Sequence, residues 1–303
     1  MPTPREVFDR LSEGISEARW EELSALYAED TVVEHPQRPP VPTRIEGRAI
    51  VHEHFTGGLA ETLRMRRRNA VVHETTDPEV IVVEYDYSGE ALNTGKTFET
   101  ANIQVLRIRD GLIAGSRDYH DYFQFAAASG SLAPLAEAVE NTIPELTPLP
   151  ERLPSTAAPD SPRGVFERLV YGVSDGKWDE LPELYAPETQ VSHPFLPNSP
   201  TMKTRQELRD HFALAGELSI RLQARDLVVY ESTDPEVVIG EFDYQGTTET
   251  GRPFRVSNIF VLRVRDGLIV ESRDYGDHLS LAAASGRLKE LISLLPEDRI
   301  PRP

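Results

Sequence analysis

The chain contains no cysteine, which excludes disulfides, thiolate nucleophiles and Cys-ligated zinc. Basic residues are few: 32 Lys and Arg stand against 50 Asp and Glu, leaving a formal charge of −18. Such a surface repels the phosphates of nucleic acid and anionic membranes alike, so neither is an expected partner. The one basic cluster, Arg64, Arg66, Arg67 and Arg68, lies on a predicted strand and reads as a solvated face. No apolar run approaches the roughly 18 residues of a membrane span. The residues from Met1 onward carry no charged, apolar, small-residue export signal, and the cytoplasm is the expected compartment. A Gly-rich phosphate loop, a nucleotide fingerprint and a Ser-His-Asp order are also missing, and no cofactor is expected. His52 and His54 are two apart on a predicted helix and do not share a face, so no metal pair is expected either.

What is present is a duplication. Val7-Phe8 returns as Val165-Phe166, Trp20 as Trp178, Leu26-Tyr27-Ala28 as Leu184-Tyr185-Ala186 and His35-Pro36 as His193-Pro194, all at one offset. Asp77-Pro78-Glu79-Val80, Asp110-Gly111-Leu112-Ile113 and Ser116-Arg117-Asp118-Tyr119 likewise return at Asp234, Asp266 and Ser272. Because the spacing barely drifts, each copy is a whole domain and not a short solenoid unit. The expected organisation is one domain over 1–140, a second over 160–303, and a stiff, partly extended Pro-rich linker over 141–159. The two copies also control for one another. A polar residue kept in both has survived divergence, whereas one found in a single copy cannot be required by both.

Within a copy, Thr3-Pro4-Arg5-Glu6 reads as an N-cap, a proline at the first helical position and a capping-box glutamate. Asp160-Ser161-Pro162 opens the second copy similarly. Helical spacing continues through Val7, Phe8, Leu11 and Ile15, then Trp20, Leu23, Leu26 and Tyr27, then 47–60. After that the period changes to two. Segments 63–74, 79–88, 97–109 and 112–123 alternate between turn signals and predict a meander of four antiparallel strands, closed by a helix over 125–137. The expected fold class is therefore α+β: two tandem cone-shaped domains, each a curved antiparallel sheet wrapped around helices and enclosing one apolar cavity.

This order of elements, with Leu26-Tyr27-Ala28-Glu29-Asp30-Thr31-Val32-Val33-Glu34-His35-Pro36, Thr94-Gly95-Lys96-Thr97-Phe98, Arg109-Asp110-Gly111-Leu112-Ile113 and Arg117-Asp118-Tyr119, resembles the SnoaL-like polyketide cyclase group of the nuclear transport factor 2-like superfamily. The resemblance covers nearly all of both copies. It implies a cystatin-like α+β roll, and it leaves the reaction open, since that scaffold hosts isomerases, aldol cyclases, epoxide hydrolases, dehydratases and non-catalytic binders. Single-domain relatives usually pair through their sheets, so the copies are expected to form an intrachain pseudo-dimer, monomeric in solution, with two unlike pockets.

Alternation assigns faces within strands. Asn102, Gln104 and Leu106 share one, as do Asn258, Phe260 and Leu262; Glu84 pairs with Asp86, Glu241 with Asp243, Asp118 with Ser116 and His120, and Asp274 with Ser272. Carboxylates converging inside an apolar cone would be desolvated and mutually repelled, which separates a proton donor from an acceptor. Limonene-type epoxide hydrolases resemble each copy through two aspartates, which fall on Asp86 and Asp118 and on Asp243 and Asp274. Their arginine is replaced by Glu84 and Glu241. Ketosteroid isomerases resemble the other end of the pocket, and their basic aspartate falls on His35 and His193. Their oxyanion tyrosine falls near Leu11 and their protonated aspartate on Gln104 or Phe260.

The expected catalytic groups are therefore Asp118, Asp86, His35, Asp274, Asp243 and His193. Asn102, Gln104, Glu84, Tyr119, Asn258, Glu241 and Tyr275 are the expected substrate contacts. For each the plainer reading stands beside it: Asp118 braced by Arg117 or Arg107, the His-Pro pair as a capped loop, Asn102 satisfying a bulged strand. His54 and His211 repeat beside Phe55 and Phe212 and read as core histidines. His73, His120 and His278 have no matching histidine and carry no weight. Two functions remain. One is an enzyme of bacterial specialised metabolism that moves protons on a hydrophobic, carbonyl-bearing small molecule by cyclisation, isomerisation or dehydration. The other is a binding or scaffold protein whose acids merely brace strands. Epoxide opening is a subordinate enzymatic option. The first copy, whose inner face keeps more polar groups, is the one expected to be active.

Overall fold

The first helix starts as its sequence dictates. In this computed structural model, which describes residues 1–149, 151–217 and 220–296, Thr3 and Glu6 exchange reciprocal capping bonds (2.7 and 3.3 Å) ahead of α1 (Pro4–Ser16). These satisfy N–H groups that the first helical turn leaves without partners. The helix α2 (Trp20–Leu23) follows, then β1 (Tyr27–His35), β2 (Thr43–Glu46) and α3 (Arg48–His54), which runs on through a kinked turn over Phe55–Leu59 into α4 (Ala60–Thr62). Then come β3 (Leu63–Glu74), β4 (Val80–Ala91), β5 (Lys96–Arg109), β6 (Leu112–His120), α5 (Tyr122–Ser129) and α6 (Leu132–Asn141).

The second half repeats the plan as α7 (Pro162–Ser174), β7 (Tyr185–Ser192), β8 (Met202–Thr204), α8 (Arg205–Glu217), β9 (Arg221–Glu231), β10 (Val237–Thr247), β11 (Pro253–Arg265), β12 (Leu268–Gly276), α9 (His278–Ala284) and α10 (Leu288–Ser293). Two compact units result, built on Met1–Ala138 and Val139–Leu295. Among the described residues from Thr142 to Ser161 no helix or strand forms. That stretch is fastened to the second unit, where Gln245 donates to the Thr147 carbonyl at 2.7 Å and Arg152 pairs with Asp175 at 2.9 Å.

Among the described residues each half makes one six-stranded sheet, in the orders β2-β1-β6-β5-β4-β3 and β8-β7-β12-β11-β10-β9. The architecture is the expected tandem α+β pair, with two strands per half beyond the expected meander. The additional strand β1 lies parallel to β6, and β7 lies parallel to β12. A parallel pair needs no hairpin turn to announce it, and Glu29-Asp30 interrupts the alternation of β1, which explains why the sequence reads this stretch as the end of a helix. The expected last helix is two, parted at Gly130, whose φ of +71° caps α5. Asp110 and Gly111 both take positive φ, as do Asp266 and Gly267, the two-residue hairpin that Asp-Gly favours.

The core of the first half forms where Val7, Phe8 and Leu11 of α1 meet Ile81, Val83, Tyr85 and Tyr87 of β4. Val165, Phe166 and Leu169 of α7 meet Val238 and Phe242 in the second. Since successive strand residues alternate faces, these contacts define each sheet's inner side.

Candidate functional site

Register decides which polar side chains reach that inner side. On β5 and β6, Asn102 stands opposite His120, Gln104 opposite Asp118 and Leu106 opposite Ser116. On β4, Val83 stands opposite Gln104 and Tyr85 opposite Asn102. All of these therefore share the core face. Between that face and the helices lies a cavity of about 710 Å³. Its walls are apolar and aromatic, with Phe8, Trp20, Tyr27, Phe55, Tyr85 and Tyr87 among them, and its polar lining includes His35, His54, Gln104, Asp118 and His120.

Asp118 is the centre of that polar group. Its Oδ1 accepts the Gln104 amide at 2.8 Å and the Ser116 hydroxyl. Neither partner is charged. Burial pushes the carboxyl up to about 6, against these two bonds and a weaker pull from His54. Three imidazoles surround it. His35, 4% exposed, has no partner at either ring nitrogen, and its ring lies 5.6 Å from that of His54 and 6.0 Å from that of His120. Burial, then the positive charge of Arg38, lowers His35 to about 4. Burial and neighbouring imidazoles lower His54 to about 4 and His120 to about 3. All three are neutral at pH 7. Asn102 gives its N–H to the Thr100 carbonyl at 3.1 Å, which leaves its Oδ1 to accept from His120 Nδ1 at 2.8 Å. That bond sets the tautomer: Nε2 of His120 carries the lone pair.

The ligating atoms of His35, Asp118 and His120 all lie within 4.8 Å of one another, the one such group among the described residues. Two imidazoles and a carboxylate suit a divalent transition metal, an option outside the expectations drawn from the residues alone.

Several expected site residues lie elsewhere. Glu84 and Asp86 are on the opposite face of the sheet from Asp118, because the β4 residue in phase with Gln104 and Asp118 is Val83. Glu84 bonds to His73 at 2.7 Å and Asp86 to Asn69 at 2.7 Å. Glu241 and Asp243 are outward too: Glu241 accepts the Tyr230 hydroxyl at 2.5 Å, and Arg255 clasps Asp243 at 2.6 Å. Tyr119 and Tyr275 also face away from the inner side, across from Ile103 and Ile259, and the Tyr275 ring packs on Phe195 at 5.1 Å. Asn102 faces inward but is fully buried and spent on His120; Asn258 donates to the Val256 carbonyl at 3.1 Å. Among the described residues the cavity is thus lined by one aspartate, not the pair that epoxide opening of the limonene type would use.

His35, Gln104 and Asp118 do meet in the first cavity. In the second half Asp274 accepts from Ser272, and His193 Nε2 lies 4.0 Å from its Oδ2. Burial raises Asp274 to about 6. Sequence reasoning missed His54 and His120. The repetition of His54 as His211 was the available signal for the first, masked by its apolar neighbours. For His120 the signal was its place on the same strand face as Asp118, set aside because the second copy has no histidine to match it.

A family model described as a SnoaL-like domain matches residues 8–116 and again 166–272. An uncharacterized PhzA/B-like protein of Pseudomonas aeruginosa is 32% identical over 116 residues, covering 38% of this chain and 82% of that protein. The uncharacterized protein YesE of Bacillus subtilis is 29% identical over 95 residues, 31% of this chain and 65% of its own. Among solved structures, a putative polyketide cyclase from Xanthomonas campestris pv. campestris is similar at 21% identity and a TM-score of 0.36, covering 41% of this chain and 93% of that one. No helix of the described residues is long and apolar enough to cross a membrane.

Proposed function

The chain belongs to the SnoaL-like domain family, and from that membership and the chemistry of its first cavity we propose a cofactor-independent acid/base enzyme of bacterial specialised metabolism, working in the cytoplasm on a hydrophobic, carbonyl-bearing small molecule. One observation carries the reading. A carboxyl with a pKa near 6 and no cationic partner sits in an apolar cavity of about 710 Å³, which is where a general base near neutral pH is needed. In the reaction Asp118 takes the proton from the carbon next to the substrate carbonyl. The C–H bond breaks, its electron pair becomes the enolate, and the proton resides on the carboxyl until it is returned to carbon or oxygen. A neutral imidazole donates one N–H, and His35, whose ring nitrogens lack partners, supplies it to the developing oxyanion. Return of the proton at another carbon is isomerisation; attack of the enolate on a second carbonyl is cyclisation.

The test needs no knowledge of the natural substrate. Deuterium exchange into the α-carbon of 1-tetralone in D2O, followed by NMR, reports proton abstraction directly. The wild type is expected to exceed buffer, and Asp118→Asn together with Asp274→Asn to lose about 100-fold or more. Tight binding of 2-naphthol, an enolate mimic, with no exchange would establish the non-catalytic binder instead. Exchange that vanishes on chelation with EDTA and returns with Zn²⁺ would transfer the role to a metal held by His35, Asp118 and His120.

We also propose that the two halves pair within the chain. The outer sheet faces carry Val80, Val82, Ile103 and Val105 in one half and Val237, Ile239, Ile259 and Val261 in the other, apolar surfaces that a monomeric domain rarely leaves in water.

A further inference from the structure

The second half lacks a histidine where the first has His120: the matching strand position, opposite Asn258 as His120 is opposite Asn102, is Gly276. The position matching Tyr122, the first residue of the closing helix, is His278. The two positions adjoin in space. A Cβ on Gly276 would lie tightly against Asn258 Oδ1, at 3.2 Å, and in ordinary contact with His278 Nε2, at 3.6 Å, so the ring of His278 lies directly beside position 276. There it meets the His-Pro histidine as His120 does: the His193 and His278 rings are 5.8 Å apart, against 6.0 Å for His35 and His120. The remaining pair is reproduced outright, with His193 and His211 at 5.6 Å and 38° and His35 and His54 at 5.6 Å and 38°. Asp277 holds the new histidine in place by capping α9 through the Ser280 N–H at 2.9 Å.

Resting on the acid/base reading above, we propose that the second half carries a second complete site, Asp274 with His193, His211 and His278, in which the third histidine reaches the cluster from two residues further along the chain. Like His35, His278 keeps a buried ring nitrogen, Nε2, without a partner, and the Asp274 and His193 side chains retain 10% and 14% exposure. Both features suit groups that await a ligand. Burial lowers His193 to about 4 and His278 to about 3, so these imidazoles too are neutral at pH 7. The walls differ in one direction. Phe242 replaces Tyr85, Phe260 replaces Gln104, and the two phenyl rings meet edge to face at 5.0 Å. The second site therefore offers fewer hydrogen bonds around its carboxylate and selects a more apolar carbonyl compound than the first, because a site rejects ligands that leave its own polar groups unpaired.

The experiment uses the full chain with Asp118→Asn, which silences the first site. Deuterium exchange into 1-tetralone is expected to persist at a measurable share of the wild-type rate and to fall at least tenfold on adding His278→Tyr. Adding Gly276→His to His278→Tyr rebuilds the first-half arrangement and is expected to restore it. Thermal melts of each variant separate loss of the site from loss of folding. If Asp118→Asn alone removes all exchange while the wild type is active, the second site does not exist and the reading of the first stands. Failure of the histidine swap to rescue a folded protein would show that His278 is not the counterpart of His120. An inactive wild type would instead remove the acid/base reading itself.

Discussion

Asp118 carries a cost that its function would explain. Its carboxyl is raised from an ordinary value near 3.8 to about 6 by burial. A raised carboxyl penalises the folded state fully above the folded pKa and not at all below the unfolded one, so stability falls as pH rises from about 4 to about 6. Asparagine keeps the shape and the Oδ1 acceptor without the charge. Asp118→Asn is therefore expected to stabilise the protein by roughly 1–3 kcal/mol at pH 7.5 and to leave it unchanged near pH 4. Urea midpoints at the two pH values check this, and equal shifts at both would remove the burial argument. For catalysis the sign reverses, since the charged form is the base. The rate of ketone exchange is expected to rise with pH through a midpoint near 6. The histidines, already neutral, should add no descending limb between 6 and 8, and a bell-shaped profile there would assign a proton-donating role to one of them.

At the scale of elements, alternation gave the correct partners within every strand and failed between strands. Period two says that Glu84 and Asp86 share a face and that Asp118 and Ser116 share a face, but the phase of β4 against β6 passes through the register of β5. One residue of slip moves a whole set to the other side. Hence the pair Asp86 and Asp118, attractive in sequence, is split by the sheet. The duplication has a similar limit. Gly240 stands where the first half has Val83, and a Cβ there would come within 2.2 Å of the Phe166 ring. Gly240→Val, although it only copies the first half, is expected to destabilise the second by about 1–3 kcal/mol, as read by denaturant unfolding. A neutral result would mean that α7 can shift freely on β10.

For the whole molecule, the proposed intrachain pairing predicts a chain that sediments as a single species of 34 kDa across the micromolar range. A dimer of chains would indicate that the apolar faces are satisfied between molecules instead. The duplicated sites make a second forecast at this scale: titration with 2-naphthol should give two binding events per chain, reduced to one by either Asp118→Asn or Asp274→Asn. One event in the wild type would leave a single working half.

The sequence by itself determined the duplication, the α+β class, the helix caps and Asp-Gly hairpins, and His35, Asp118 and their copies as the polar residues of interest. Those features are local or periodic, and local chemistry fixes them. Tertiary structure alone decided that Glu84, Asp86, Glu241, Asp243, Tyr119 and Tyr275 turn away from the inner face, that Asn102 serves His120, and that His278 stands in for a histidine absent from its own strand. Those outcomes depend on register between strands and on which side chain fills a given volume, and neither leaves a mark in the order of residues along one chain.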